Sequence, residues 1–223
     1  GCGLFADIRI NQTAGPGGTV GKSKRYVAKV DVCGPSWMEA DEIEVFVNGQ
    51  SVRTFELKTA DRSKPGVKAR LEMQLPISAN QDAFVVAVAR GPGVRKLHWP
   101  IAKPYQPVST DWPPTFVAVT GAIWIDADGD GRFTSAKKYA TEVCTASDYN
   151  SGRVLEQLKK FDSAVAVHAA ELLMTDSPDT FVSGAFRDAR KSSPVIRGAF
   201  ETYYDEWQQS QRARAGAAGE TGR

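Results

Sequence analysis

Between Leu4 and Ile125, apolar side chains recur at every second position in short runs separated by Gly, Pro and Asn. In the run 25–32, Tyr26, Ala28, Val30 and Val32 fall on one face. Ile43, Val45 and Val47 repeat the period, Asn48-Gly49 supplies a turn that tolerates positive φ, and 51–57 returns as the partner strand. Ala69, Leu71, Met73 and Leu75 alternate again. The run 83–89 (AFVVAVA) is almost continuously apolar and of strand length, which predicts a strand buried on both faces. Gly91-Pro92-Gly93 ends it, and the runs 116–119 and 122–125 close the series. Short strands with Gly/Pro/Asn turns and no helical period between them predict an antiparallel immunoglobulin-like β-sandwich over residues 1–125. The disulfide pin of antibody domains is missing. Cys33 and Trp37 lie close in sequence, but no later strand of this region carries a second Cys.

Past Gly131 the period lengthens. Leu155, Leu158, Phe161, Val165, Ala169 and Leu172 recur at three- and four-residue steps, with Asp162-Ser163 as a cap that interrupts the run. Ser177-Pro178 and Ser193-Pro194 each combine an N-cap hydroxyl with Pro at the first helical position. Ile196, Phe200, Tyr203 and Trp207 share a stripe. Residues 138–210 therefore read as a small helical-hairpin region, loosely HEAT-like, and a single such unit is too few for a solenoid. Residues 211–223 are rich in Gly, Ala and Arg and are expected to form a disordered tail. The expected class is mostly β with an α tail.

Charge narrows the function. Lys and Arg number 28, Asp and Glu 26, for a net charge of +2. So even a balance predicts no nucleic-acid partner, and the lack of a long apolar run predicts no membrane span. Gly1-Cys2-Gly3 leads straight into an apolar stretch without the basic and apolar regions of a signal peptide. This start is expected of a fragment or processed product, whose own targeting signal would lie upstream. Cys2, Cys33 and Cys144 show neither a C-x-x-C pair nor zinc spacing.

The strongest local signal is the segment 126–133 (DADGDGRF) between residues 126 and 137. Asp126, Asp128 and Asp130 stand at positions 1, 3 and 5 of an EF-hand-type loop, with Gly131 at the sharp turn and Phe133 at the apolar eighth position. The backbone carbonyl of Arg132 would be the seventh-position ligand. Carboxylate and carbonyl oxygens are hard ligands, which points to Ca²⁺. The twelfth position is Lys137, so a closing ligand must come from elsewhere, with Glu142 and Asp148 as candidates. The alternative is an Asp/Gly turn whose carboxylates bind their own backbone amides.

Other motifs are weaker. The segment 15–23 (GPGGTVGKS) resembles a phosphate-binding loop, but Pro16 replaces its first Gly and a strand follows. His98 and His168 have no partner at metal-binding spacing. Asp111-Trp112-Pro113-Pro114 could present an aromatic surface to sugar or peptide, or pack on the sandwich edge. Asn11-Gln12-Thr13 is a glycosylation sequon by pattern. No Ser sits in a G-x-S-x-G elbow, and no catalytic residue is assigned.

Segments 34–49, 82–91 and 120–131, in this order and spacing, resemble the region that follows the catalytic domain in CehA/McbA-type metallohydrolases, relatives of the PHP domain. Gly121-Ala122 departs from the Asn-Pro usual in that family. The resemblance implies a parent enzyme that hydrolyses esters or phosphoesters at a histidine-rich metal centre, often outside the cytoplasm. None of those histidines can be placed on this chain. It is thus expected to be a non-catalytic accessory region docked on an upstream catalytic domain of the same polypeptide, with a structural Ca²⁺ loop at the strand-to-helix junction. The alternative is a stand-alone cell-envelope module that recognises glycan or protein through Trp112 and neighbouring loops.

Overall fold

The computed structural model describes residues 3–57, 66–94 and 115–220. The chain divides into two compact units between Phe133 and Thr134. Cys2, His98 and the segment 111–114 lie outside the described residues.

The first unit contains eleven described strands: β1 (Phe5–Ile10), β2 (Thr19–Val20), β3 (Val27–Cys33), β4 (Met38–Glu39), β5 (Glu42–Val47), β6 (Gln50–Glu56), β7 (Val67–Gln74), β8 (Ala83–Gly91), β9 (Gly93–Val94), β10 (Phe116–Val119) and β11 (Ile123–Ile125). One antiparallel sheet has the order β1-β3-β7. A second has the order β2-β11-β8-β5-β6, with β10 also paired to β8; β2 runs parallel to β11, so this sheet is mixed. β4 and β9 form a separate ribbon. The alternating residues read from the sequence point inward: Ala28, Val30 and Val32 from one sheet and Ile43, Val45, Val85, Ala87 and Ile123 from the other belong to one buried cluster. Burial of this apolar area, worth roughly 25 cal/mol per Å², is what holds the unit.

β8 corrects one expectation. Ala83, Val85, Ala87 and Ala89 are buried, whereas Phe84, Val86 and Val88 are only half-buried. The apolar run therefore has one core face and one partly covered face, as a strand in an antiparallel neighbourhood allows.

The last strand along β8 is broken in two. β10 pairs with Val88–Gly91 and β11 with Ala83–Val85. Thr120 bridges the break: its N–H donates to the Ala87 carbonyl, and its hydroxyl accepts from the Ala87 N–H, both at 3.0 Å. At Asn48-Gly49 both residues have positive φ, 50° and 79°, which the right-handed strand twist favours in a two-residue hairpin.

The second unit contains α1 (Ala136–Ala146), α2 (Ser151–Leu158), α3 (Ser163–Asp176), α4 (Pro178–Thr180), a π-helical stretch (Phe181–Ala185), α5 (Phe186–Ala189) and α6 (Pro194–Glu220). α3 is central, with α1 and α6 packed on it. Ser135, Asn150 and Asp162 cap α1, α2 and α3 through their side-chain oxygens. Phe181 stacks on Phe200 with ring centroids 5.8 Å apart and meets Tyr203 edge-on.

Two expectations change here. Helix outweighs strand, about 37% against 30%, so the class is β-rich plus helical rather than mostly β. The stretch 211–220 also continues α6 instead of leaving it as an irregular tail. Its Ala, Arg and Gln residues are good helix formers and carry the helix past Gly216 and Gly219.

Candidate metal centre

The acidic loop begins where β11 ends. Ile125 lies between two strands, paired with Val20 of β2 and with Ala83 of β8. The Asp126 N–H then donates to the Val20 carbonyl at 2.9 Å. Phe133 anchors the far end of the loop: its ring packs on Trp124, centroids 4.6 Å apart, and Trp124 in turn meets Phe84 at 5.9 Å.

Within the loop the carboxylates gather backbone amides. Asp126 accepts from the N–H of Gly129 (2.7 Å) and of Gly131 (2.9 Å). Asp128 accepts from the Asp130 N–H at 3.1 Å, and Asp130 from the Arg132 N–H at 3.0 Å. Gly129 and Gly131 have φ of 84° and 88°, a region that L side chains rarely adopt. A Cβ at Gly129 would also lie 2.8 Å from Cδ of Lys22, so that side chain would have to move.

The pairing of β8 with β11 supplies a fourth acid. One step beyond the Ala83–Ile125 pair, Asp126 comes opposite Asp82. Asp82 Oδ1 accepts from the N–H of Ala127 at 2.8 Å. The backbone of Asp82 is held by Asn48, whose Nδ2 donates to the Asp82 carbonyl at 3.3 Å while its Oδ1 accepts from the Phe84 N–H at 3.0 Å. The hairpin turn thus helps to place an acidic side chain.

Asp82, Asp126, Asp128 and Asp130 each offer one ligand oxygen, and the four oxygens lie within 4.8 Å of one another. Oxygen ligands sit about 2.3–2.6 Å from Ca²⁺, so ligands on opposite sides of one ion are about 5 Å apart. The cluster could therefore hold a single metal ion. Asp82 and Asp126 are 2% and 7% exposed, a location where adjacent negative charges repel strongly unless compensated. Lys22 Nζ donates to the Asp128 carbonyl at 2.8 Å, and Arg132 Nε to Asp130 Oδ2 at 2.9 Å.

The carboxylates of the loop thus make Asx-type turns and also converge. Three of the four acids are those read from the sequence. Arg132 reaches the site through its side chain and its N–H, both directed at Asp130. The fourth acid, Asp82, comes from the same unit as the loop, whereas Glu142 and Asp148 lie in the second unit. Glu142 lies on α1, and Asp148 follows that helix and faces Arg153 at 3.7 Å. Asp82 was visible only as the residue before an apolar run; its partnership with Asp126 depends on strand register.

Several of the other motifs lie among the described residues. Segment 15–23 contains β2 and no helix, so it lacks the helix N-terminus that a phosphate loop needs. Asn11 of the sequon has both side-chain polar atoms engaged, with Arg25 O and Val27 N–H. His168 Nδ1 lies 3.1 Å from Glu171, which also faces Lys137. The His168 hydrogen bond, then the Lys137 charge, hold the Glu171 carboxyl below its ordinary range against the opposing effect of burial. Cys33 and Cys144 are free thiols, and burial raises the Cys144 thiol to about 11, far from a reactive thiolate. No described helix is long and apolar enough to cross a membrane. No family model, curated protein or solved structure matches the chain.

Proposed function

We propose that this chain is a non-catalytic accessory region whose acidic loop binds a structural Ca²⁺. The observation that carries this reading is the convergence of four aspartate oxygens within 4.8 Å at the end of the β8–β11 ladder. An all-carboxylate set favours a hard cation over the transition metals, which prefer imidazole or thiolate. Mg²⁺ demands near-ideal octahedral geometry, whereas Ca²⁺ tolerates an irregular loop. The ion would neutralise two buried carboxylates and tie β8 to β11, which is stabilisation rather than chemistry.

The two sheets, each giving one face to a common core, favour an immunoglobulin-like sandwich for the first unit. The resemblance to the region following the catalytic domain in CehA/McbA-type metallohydrolases supplies the partner: an upstream, histidine-rich catalytic domain in the same polypeptide, outside the cytoplasm.

Thermal unfolding with Ca²⁺ and with chelator tests the metal part. Ca²⁺ at one hundred times its Kd stabilises the bound state by about 2.7 kcal/mol, and the melting temperature rises accordingly. Identical melting curves in the two conditions would overturn it. The coding sequence upstream tests the accessory part separately; a region without a clustered set of metal-binding histidines would contradict that part and leave the Ca²⁺ part standing.

A further inference from the structure

A hollow of about 510 Å³ lies between the loop 22–26 and the segment 74–79. Its lining combines Lys22, Lys24 and Arg25 with the half-buried Ile77 and the exposed Ala79, above Tyr26 and Leu75, which belong to the core. The volume falls within the usual range for small-molecule sites, about 300–1,000 Å³.

The loop that carries the cations is pinned at several points. Asn11 Nδ2 donates to the Arg25 carbonyl and Asn11 Oδ1 accepts from the Val27 N–H. The Ser23 hydroxyl donates to the Arg25 carbonyl at 2.9 Å, and the Ser23 N–H donates to the Tyr26 hydroxyl at 2.9 Å. The opposite wall continues the β3–β7 ladder, with the Leu75 N–H donating to the Tyr26 carbonyl at 2.8 Å. The backbone of both walls is therefore fixed before any ligand arrives, which lowers part of the ordering cost of binding. Lys22 already serves the acidic loop through the Asp128 carbonyl. Lys24 and Arg25 form no ion pair with a described residue. Three like charges within four residues repel one another, and an anion seated among them removes that repulsion.

We propose that this hollow binds a small phosphomonoester carrying an apolar or ring body. The phosphate would meet Lys24 and the Arg25 guanidinium, which suits bidentate oxyanion recognition, and the body would lie on Ile77 and Ala79. Two negative charges match this rim better than the single charge of a carboxylate. The inference stands apart from the Ca²⁺ reading, because none of the four aspartates lines the hollow.

The test titrates the full chain, in chelator, with phenyl phosphate, benzoate, inorganic phosphate and phenol while backbone amide signals are followed. Phenyl phosphate is expected to saturate shifts at residues 22–26 and 74–79 with a Kd of about 1 mM or tighter, weakening as salt rises. The double variant Lys24→Ala/Arg25→Ala, at two exposed side chains, is expected to bind about tenfold more weakly. Lys22 is left in place because of its contact with the acidic loop. No saturable shift, undiminished binding by the variant, or equal binding of any of the other three probes would overturn the proposal.

Discussion

The two units organise their polar side chains over different distances along the chain. In the helical unit most partners are near neighbours, such as Asp162 with the N–H groups of Ala164 and Val165, Asn150 with Arg153, Ser135 with Lys138 and His168 with Glu171, while Lys137 with Glu171 joins two helices. In the β unit, beside the local bonds of the acidic loop, partners also come from far apart: Asp82 with Ala127, Asn48 with Phe84, Thr120 with Ala87, Lys22 with Asp128. A helix satisfies its backbone internally and needs polar side chains chiefly at its ends. A sheet brings remote segments into register, so it can add Asp82 to the three acids of a local motif. Local polar contacts shape the helices and the acidic loop, and a remote one completes the candidate metal centre.

That contrast can be probed at sites of graded cost. The largest effect is expected where packing, common to both units, is removed. Phe181 is 1% exposed and stacked on Phe200, and Phe181→Ala should destabilise the helical unit by about 3–5 kcal/mol in denaturant unfolding. A remote polar contact comes next. Thr120→Val keeps the shape but leaves the Ala87 N–H without its acceptor at the break in the strand, at a cost of about 1–3 kcal/mol. Amide hydrogen exchange at Ala87 should accelerate in parallel; unchanged exchange would show that the hydroxyl does not secure the break. A local contact is expected to matter least. Asp162→Ala removes one helix cap and should cost about 1 kcal/mol, with fraying confined to the first turn of α3. A larger loss from Asp162→Ala than from Thr120→Val would break the comparison.

The same contrast explains what could be read from the sequence. The period of two in Ala28, Val30 and Val32, and the caps at Asp162 and Ser193, were legible because each is a local pattern with a local cause. Asp126, Asp128 and Asp130 were legible for the same reason, as a spacing of two. Asp82 was not, because its role arises from the alignment of Ala83 with Ile125 across the β8–β11 ladder. Once that register is known, Asp82 and Asp126 fall directly opposite each other at the buried end of the ladder, and the cluster of four is apparent. The helical stretch 211–220 was missed for a different reason. Its two glycines suggested an irregular tail, while the Ala, Arg and Gln around them sustain a helix already begun upstream.

Calorimetric titration of Ca²⁺ into the native chain and into Asp82→Asn tests the four-aspartate centre most directly. Asn keeps an oxygen for the Ala127 N–H, so the loop retains its anchor while the site loses one charge. The account predicts one bound ion in the native chain and an affinity lower by about tenfold or more in the variant. Equal affinity in the two proteins, or no uptake by the native chain, would contradict it.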